Sequence, residues 1–481
     1  MSYQNTLLAA IFVPILGAFV LPLIGRNWPK LRNWLSLGFI FSAFIFSLKL
    51  VPIVLSGANI IVNQQLITGL HSVFLADGLA VFMAVFSSFV SSIIVLYSFG
   101  YISHYENQNE YYSMVTLFLG AMMGLVFSAN LILLYIFWEI TAITSWRLIG
   151  FFREKTYVLK ADKAFLITVF GALMMLLGFI NIYQQTGSFD LLVIKKTLGG
   201  IPIDNLAVAL ILVGILSKSA TLPFHTWLPD AGIAPSPVTA LLHAAILVKI
   251  GVYVFARLFV ATVPIAQFWH TVVPAIAAIS AIVCAGAAFI EKDIKRIIAY
   301  STISQIGFIF FGLAVNNEIA VAGGLLYILM HGISKAGLFL CAGIIEQNTK
   351  IKDITKLGGL IKTMPITAVS FLFCAFSVMG IPPFGGFFSK YLVFAGAAAG
   401  NQLWMGLVFM LGAFMTIIYL FRVFNLVFLG EAHGPMAKEG SPIMVASVAI
   451  LALLSLLSGI FINYPSGFTQ VIVAGLPGIL R

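Results

Sequence analysis

Apolar stretches of roughly 18 to 25 residues recur from one end of the chain to the other, each long enough to cross a hydrocarbon core of about 30 Å. The pattern predicts about fourteen spans, near 6–24, 33–55, 74–100, 111–129, 131–150, 162–183, 205–222, 238–260, 268–290, 297–315, 321–345, 365–398, 404–428 and 443–463. The loops between them are too short for a soluble domain. The expected fold class is therefore an all-α polytopic membrane protein, with one integral domain over residues 1–481. The first stretch, TLLAAIFVPILGAFVLPLIG, lacks a basic n-region and a small-residue cleavage site, so it reads as a retained span and not a signal peptide.

Two spans are interrupted. TLPFHTWLP breaks the seventh, and VMGIPPFGGFFSK breaks the twelfth. Proline removes a backbone donor and crowds the preceding turn, and the freed carbonyls need protein or water around them at that depth. Such segments line cavities, and a pair of them five spans apart is the signature of an inverted-repeat transporter with its site near the repeat interface. The plain alternative is two proline kinks without function.

The composition agrees with the pattern. The chain is 61% hydrophobic and 9% charged, with 43 Phe, and no soluble domain is built this way. A net charge of +10 raises nucleic acid as a partner, but the basic residues sit in loops on one side. That set comprises Arg26, Lys30, Arg32, Arg153, Lys155, Lys160, Lys163, Lys292, Lys295, Arg296, Lys350, Lys352, Lys356, Lys362 and Lys438; the opposite set has little beyond Lys195 and Lys196. Under the positive-inside rule the first set is cytoplasmic, and an even number of spans puts both termini outside. Anionic lipid then accounts for the charge, and no nucleic-acid partner is expected. Cys284, Cys341 and Cys374 are isolated in apolar segments without metal-ligand spacing, so no metal or redox cofactor is expected on this chain.

Ionisable residues inside spans cost roughly 2.5 to 3.5 kcal/mol each on insertion scales, so each is a functional candidate. Glu139 lies in LLYIFWEITAITSWRLIGF, Lys218 before the first break, and His243 and Lys249 in VTALLHAAILVKIGVYVFARLF. His331 and Lys335 lie in LLYILMHGISKAGLFL, and Lys390 follows the second break. One such lysine could pair with a carboxylate or snorkel to the interface. Lys218, Lys249, Lys335 and Lys390 occupy four different spans, however, and Glu139 is the one carboxylate clearly at mid-depth. Desolvation disfavours an ammonium, which suits such lysines to exchange protons. Glu139 and Lys218 are the expected switchable pair. His331 and Lys335 share a face at i, i+4, and His243 and Lys249 are about 9 Å apart along their axis. Either histidine alone could equally be a hydrogen-bonded core residue. His225 lies on the break and reads as a cap for freed carbonyls. Arg147, rotated roughly 80° from Glu139, cannot give up its proton and is expected to meet cytoplasmic headgroups or an acidic residue of a neighbouring subunit. Asp77, Arg257 and Arg422 read as structural or interfacial.

LPFHTWLPDAGIAPSPVTALLHAAILVKIGVY, followed by EKDIKRIIAYSTISQIGF, resembles the antiporter-like subunits shared by respiratory complex I, Mrp-type cation/proton antiporters and energy-converting membrane-bound hydrogenases. The likeness runs from about Asp77 to Lys390. It implies fourteen spans with two inverted repeats, helices 4–8 over 111–260 and helices 9–13 over 268–428, and broken helices 7 and 12. It also implies roles: Glu139 and Lys218 as the carboxylate–lysine pair, Lys249 with His243 as the central relay, His331 and Lys335 as its continuation, and Lys390 as the terminal lysine on the outer side. Lys390 follows its break whereas Lys218 precedes its own, so the two are not strict symmetry mates. Arg147 departs from the pattern, standing where members often have an apolar residue. The chain ends soon after the fourteenth span, like the shorter members.

The expected function is proton translocation within a multisubunit, redox-driven complex of the inner (plasma) membrane. Its partners would be other membrane subunits and a soluble redox module carried by them; protons move, and sodium is left open. An Mrp-type sodium/proton antiporter subunit is the alternative. A stand-alone solute transporter and an inactive scaffold are the readings from other classes.

Overall fold

The computed structural model describes residues 2–67, 70–431 and 437–476. Helices α1 (Tyr3–Gly25) and α2 (Pro29–Leu55) pack together, and a β-hairpin follows, β1 (Ile60–Ile67) antiparallel to β2 (Leu70–Ala76). The hairpin was not expected from the sequence. Residues 74–76, read there as the start of the third span, belong to its second strand, and α3 (Gly78–Tyr101) begins only after Asp77 caps it by accepting from the Ala80 N–H.

Helices α4 (Gln108–Phe127), α5 (Leu131–Ile149) and α6 (Lys155–Thr186) lead to a short amphipathic helix, α7 (Leu191–Leu198), which carries Lys195 and Lys196. The first broken span is α8 (Asn205–Lys218), an irregular stretch, and α9 (Trp227–Ala231). The next span, α10 (Ser236–Ala240) through α11 (Leu247–Phe255), is interrupted by π-turns at Leu241–Ala245 and Ala256–Val260. Helices α12 (Trp269–Ile290), α13 (Ile294–Ala314) and α14 (Glu318–Thr349) come next. The second broken span is α15 (Pro365–Met379) and α16 (Gly385–Ala399); α17 (Leu403–Phe428), α18 (Pro442–Ile460) and α19 (Asn463–Ala474) complete the described chain.

Among the described residues twelve helices are long and apolar enough to cross a bilayer. Two shorter apolar helices, Asn205–Lys218 and Pro365–Met379, stand where the seventh and twelfth spans were expected. Apolar side chains point outward as well as inward, as lipid requires: Leu16, Phe19, Leu166, Trp404 and Phe414 are all exposed. The centre is different. Helix α14 packs against α13, α15, α16, α18 and the first π-turn, and is buried over most of its length.

The second break depends on two glycines. Gly380 ends α15 at φ +83°, a left-handed conformation that costs a glycine little. A Cβ on Gly386 would lie 1.8 Å from the Ser377 carbonyl oxygen, so α16 closes onto α15 only without a side chain there.

Two assignments of charge are corrected. Arg32, counted with the loop cations, lies in the first turn of α2, is 2% exposed and donates to Asn33 and Gln108. Lys295 was counted with the solvated loop cations, but it lies in the first turn of α13 and is 1% exposed. The turn is tightened by Asp293, which accepts from the Lys295 and Arg296 N–H groups, and α13 and α14 bury the residue between them.

Candidate functional site

Helix α8 ends at Lys218 because Ala220 takes φ +52° and Pro223 cannot continue the ladder. The Lys218 ammonium is fully buried, donates to the Trp138 carbonyl oxygen at 3.2 Å and stands 5.1 Å from the centre of the Trp138 ring. Its site is thus built on the residue beside Glu139. Glu139 is half-buried, and among the described residues its Oε1 has no hydrogen-bond partner and no ion pair joins it to Lys218. The expected pair is therefore adjacent but not joined in an ion pair.

His243 sits in the first π-turn. Its ring is fully buried and packs 4.5 Å from the Phe339 ring, and neither ring nitrogen has a partner among the described residues. One and a half turns on, Lys249 reaches a different histidine: its Nζ lies 2.5 Å from His331 Nδ1 of α14. The central lysine therefore bridges α11 and α14, and bonds to His331 where the sequence pointed to His243. His331 Nε2 has no partner, and the Tyr327 ring stands edge-on at 5.9 Å.

Lys335 shares the helix of His331 but turns to α13, donating to Ser301 Oγ at 2.5 Å and the Ile298 carbonyl oxygen at 3.4 Å. From Ser301 a line of neutral groups continues: Tyr419 hydroxyl at 2.6 Å, Thr416 Oγ1 at 3.3 Å from that, Gln305 Nε2 donating to Thr416 at 3.1 Å, and Tyr327 donating to Gln305 Oε1 at 2.5 Å. Lys390 closes the set. Its ammonium reaches back across the second break to the Val378 carbonyl oxygen at 2.8 Å and lies 4.7 Å and 5.6 Å from the Phe308 and Tyr327 ring centres.

Lysines 218, 249, 335 and 390 are thus buried against carbonyls, hydroxyls, an imidazole and aromatic faces, and none is in an ion pair among the described residues. An ammonium held this way lacks a fixed counter-charge and can pass a proton to a neighbour without leaving a carboxylate stranded. Sequence reasoning missed Ser301, Gln305, Tyr327, Thr416 and Tyr419. The available signal is Ser301 and Gln305 at i, i+4 in a membrane span, but uncharged hydroxyl and amide groups cost too little at depth to mark a site by themselves.

Several other ionisable residues make contacts within the chain away from this line. Asp77 and Arg257 form a two-pronged ion pair at 2.5 and 2.7 Å, and Arg257 also donates to the Tyr253 hydroxyl at 3.0 Å. Arg147, expected at cytoplasmic headgroups or an acidic residue of a neighbouring subunit, instead pairs within the chain: it and Arg153 both bind Glu110. Arg422 caps α12 by donating to the Glu291 carbonyl oxygen at 3.0 Å, and His225 lies on the break, where its backbone carbonyl accepts from the Leu228 N–H at 3.2 Å. Beside that break, Asp230 accepts from Lys163 at 2.8 Å and Arg296 at 2.9 Å. Burial alone would raise the Asp230 carboxyl, but the two cations outweigh it and hold it below the usual range.

Residues 128–416 match the family described as NADH:quinone oxidoreductase/Mrp antiporter, transmembrane, and residues 68–112 match the N-terminal family of chain 5 of NADH-ubiquinone oxidoreductase (complex I). The Na(+)/H(+) antiporter subunit A1 of Staphylococcus haemolyticus (strain JCSC1435) is 34% identical over 499 residues, covering 96% of this chain and 62% of that protein. The same subunit of Staphylococcus aureus is 33% identical over 94% of this chain and 60% of its own length. The chain thus spans about three-fifths of these relatives. In fold it is similar to a chain of the Mrp complex from Dietzia sp. DQ12-45-1b, with a TM-score of 0.91 at 21% identity over 99% of this chain and 98% of that one. It is also similar to a chain of the membrane-bound sulfane sulfur reductase, an archaeal respiratory membrane complex, with a TM-score of 0.89 at 22% identity over 98% and 97%.

Proposed function

The chain belongs to the NADH:quinone oxidoreductase/Mrp antiporter transmembrane family, and from that premise we propose that it moves protons as an antiporter-like subunit of a multisubunit membrane complex. The route runs from Glu139 and Lys218, past His243, to the Lys249–His331 bond, and on through Lys335 and the Ser301, Tyr419, Thr416, Gln305 and Tyr327 groups to Lys390. The observation that carries this reading is the burial of four lysines without counter-ions, one bonded directly to a histidine of another helix. Desolvation of that size is retained only where the charge is used. Water threads the orphaned ring nitrogens of His243 and His331 into the route.

Two inverted repeats, 111–260 and 268–428, frame it. Two matching bridges support the repeat: Asn130 pairs with Asp190 where α5 begins and α6 has ended, and Asp293 pairs with Asp353 where α13 begins and α14 has ended. By the loop-charge asymmetry the first lies outside and the second inside, as inversion requires. On this reading the membrane is the inner (plasma) membrane, and the same asymmetry supports both termini outside.

The driving reaction belongs to partner subunits. A redox module is the first reading, in keeping with the fold shared with a respiratory complex. Sodium/proton exchange is the second, and it is favoured by the names of the relatives at 33–34% identity. The test is proton movement in vesicles containing the assembled complex. Lys218→Ala and Glu139→Ala are each expected to slow it by about 100-fold, the contribution typical of a placed acid or base. Parental rates in both, with the complex intact, would refute the route and leave a scaffold.

A further inference from the structure

A buried ion pair at the cytoplasmic end of the first break lies outside the route above. The Lys295 ammonium donates to the Ala234 carbonyl oxygen at 2.8 Å and Ser236 Oγ at 3.5 Å, and pairs with Glu346 Oε2 at 2.9 Å. Glu346, in the last turn of α14, also meets Lys352 at 3.1 Å. Side-chain exposure falls inward across the three, from 37% at Lys352 to 18% at Glu346 and 2% at Lys295. Glu346 therefore has a wet side and a dry side.

The dry side faces the route. Ser236 opens α10, and His243 follows about two turns and roughly 10 Å later, near the same face. Tyr101 of α3 lies beside Ser236, placing a second hydroxyl near the line from Glu346 to the histidine. A staple for the break would not need this pair, because apolar residues of similar volume hold such a contact as well or better.

We infer that Glu346 and Lys295 form the cytoplasmic gate that loads His243 with protons. This rests on the proton-translocating reading. The charged or titratable groups facing Glu346 are Lys295 on α13, Lys352 beyond α14, Tyr97 and Tyr101 on α3, and Tyr105 after it. A cytoplasmic proton adds to the Glu346 carboxylate, an O–H bond forms, and the ion pair to Lys295 opens while Lys295 keeps its Ala234 and Ser236 acceptors. That O–H bond breaks as the proton passes, by the Ser236 and Tyr101 hydroxyls and water, to a His243 ring nitrogen, giving an imidazolium. The carboxylate re-forms and Lys295 closes on it, and the imidazolium discharges toward Lys249.

The test uses the assembled complex in vesicles. Glu346→Gln is expected to slow proton movement by about 100-fold. The exchange Lys295→Glu with Glu346→Lys keeps a pair in place, so assembly and melting temperature should match the parent while transport stays low. Restored transport in the exchange would show a staple and overturn the gate. If neither variant assembles, Glu346→Asp decides: a displaced pH profile upholds the gate, and a parental rate and profile overturn it. Lys218→Ala is measured alongside. Loss of transport there with a parental rate in Glu346→Gln removes this inference alone; parental rates in both remove the translocating reading itself.

Discussion

Replacing Lys249 by Met separates function from structure with one side chain. Methionine has nearly the same length and helix propensity, so α11 is not disturbed. The substitution removes a charge-assisted hydrogen bond to His331, worth about 1.5–3 kcal/mol, and leaves Nδ1 of that buried ring unpaired at about 1–3 kcal/mol. Against this it relieves the desolvation of an ammonium with 0% exposure, an effective penalty of several kcal/mol. The two sides nearly cancel. Stability is therefore expected to change by less than about 2 kcal/mol, whereas truncating an apolar side chain in the same core costs about 2–5 kcal/mol. Transport should still fall by about 100-fold, since among the described residues Lys249 is the group on α11 that bonds to His331. The assay is a thermal melt of the purified complex beside proton movement in vesicles. A melt lowered as far as a core truncation, with transport intact, would show that Lys249 is a strut and refute the reasoning.

Other outcomes are equally specific. Arg257→Met leaves Asp77 charged and buried without its cation and should cost about 3–5 kcal/mol in unfolding measurements, with Asp77→Asn in the same chain recovering part of it. Asp230, held low by Lys163 and Arg296, contributes stability above its unfolded value of about 4 that is lost as pH falls through its lower folded value. Asp230→Asn should therefore lower the melting temperature at pH 7 and leave a shallower decline below about pH 4. Gly386→Ala pushes a methyl group against the Ser377 carbonyl and should reopen the second break, seen as faster proteolysis or loss of assembly.

The spans were legible because lipid imposes a simple rule: a segment that cannot hydrogen-bond to its surroundings must be apolar and helical over about twenty residues. The two breaks were legible from proline and glycine, and Glu139, Lys218, His243, Lys249, His331, Lys335 and Lys390 from the cost of charge at depth. The β-hairpin was not, because Ile60–Ile67 has neither the length nor the unbroken apolarity of a span and its partner strand runs into an apolar helix. The π-turns at His243 and Arg257 also escaped, since they leave the spacing of apolar residues almost unchanged.

The sequence alone determined that this chain lives in a bilayer, where it crosses, and which side chains carry charge into the interior. Those are properties of single residues and of their solvent. Partner choice was decided by the tertiary structure: Lys249 bonds to His331 across 82 positions, Arg147 turns to Glu110, and Lys295 is drawn inside to Glu346. Spacing along one helix cannot give those distances, because each contact crosses between helices, α11 to α14, α5 to α4 and α13 to α14.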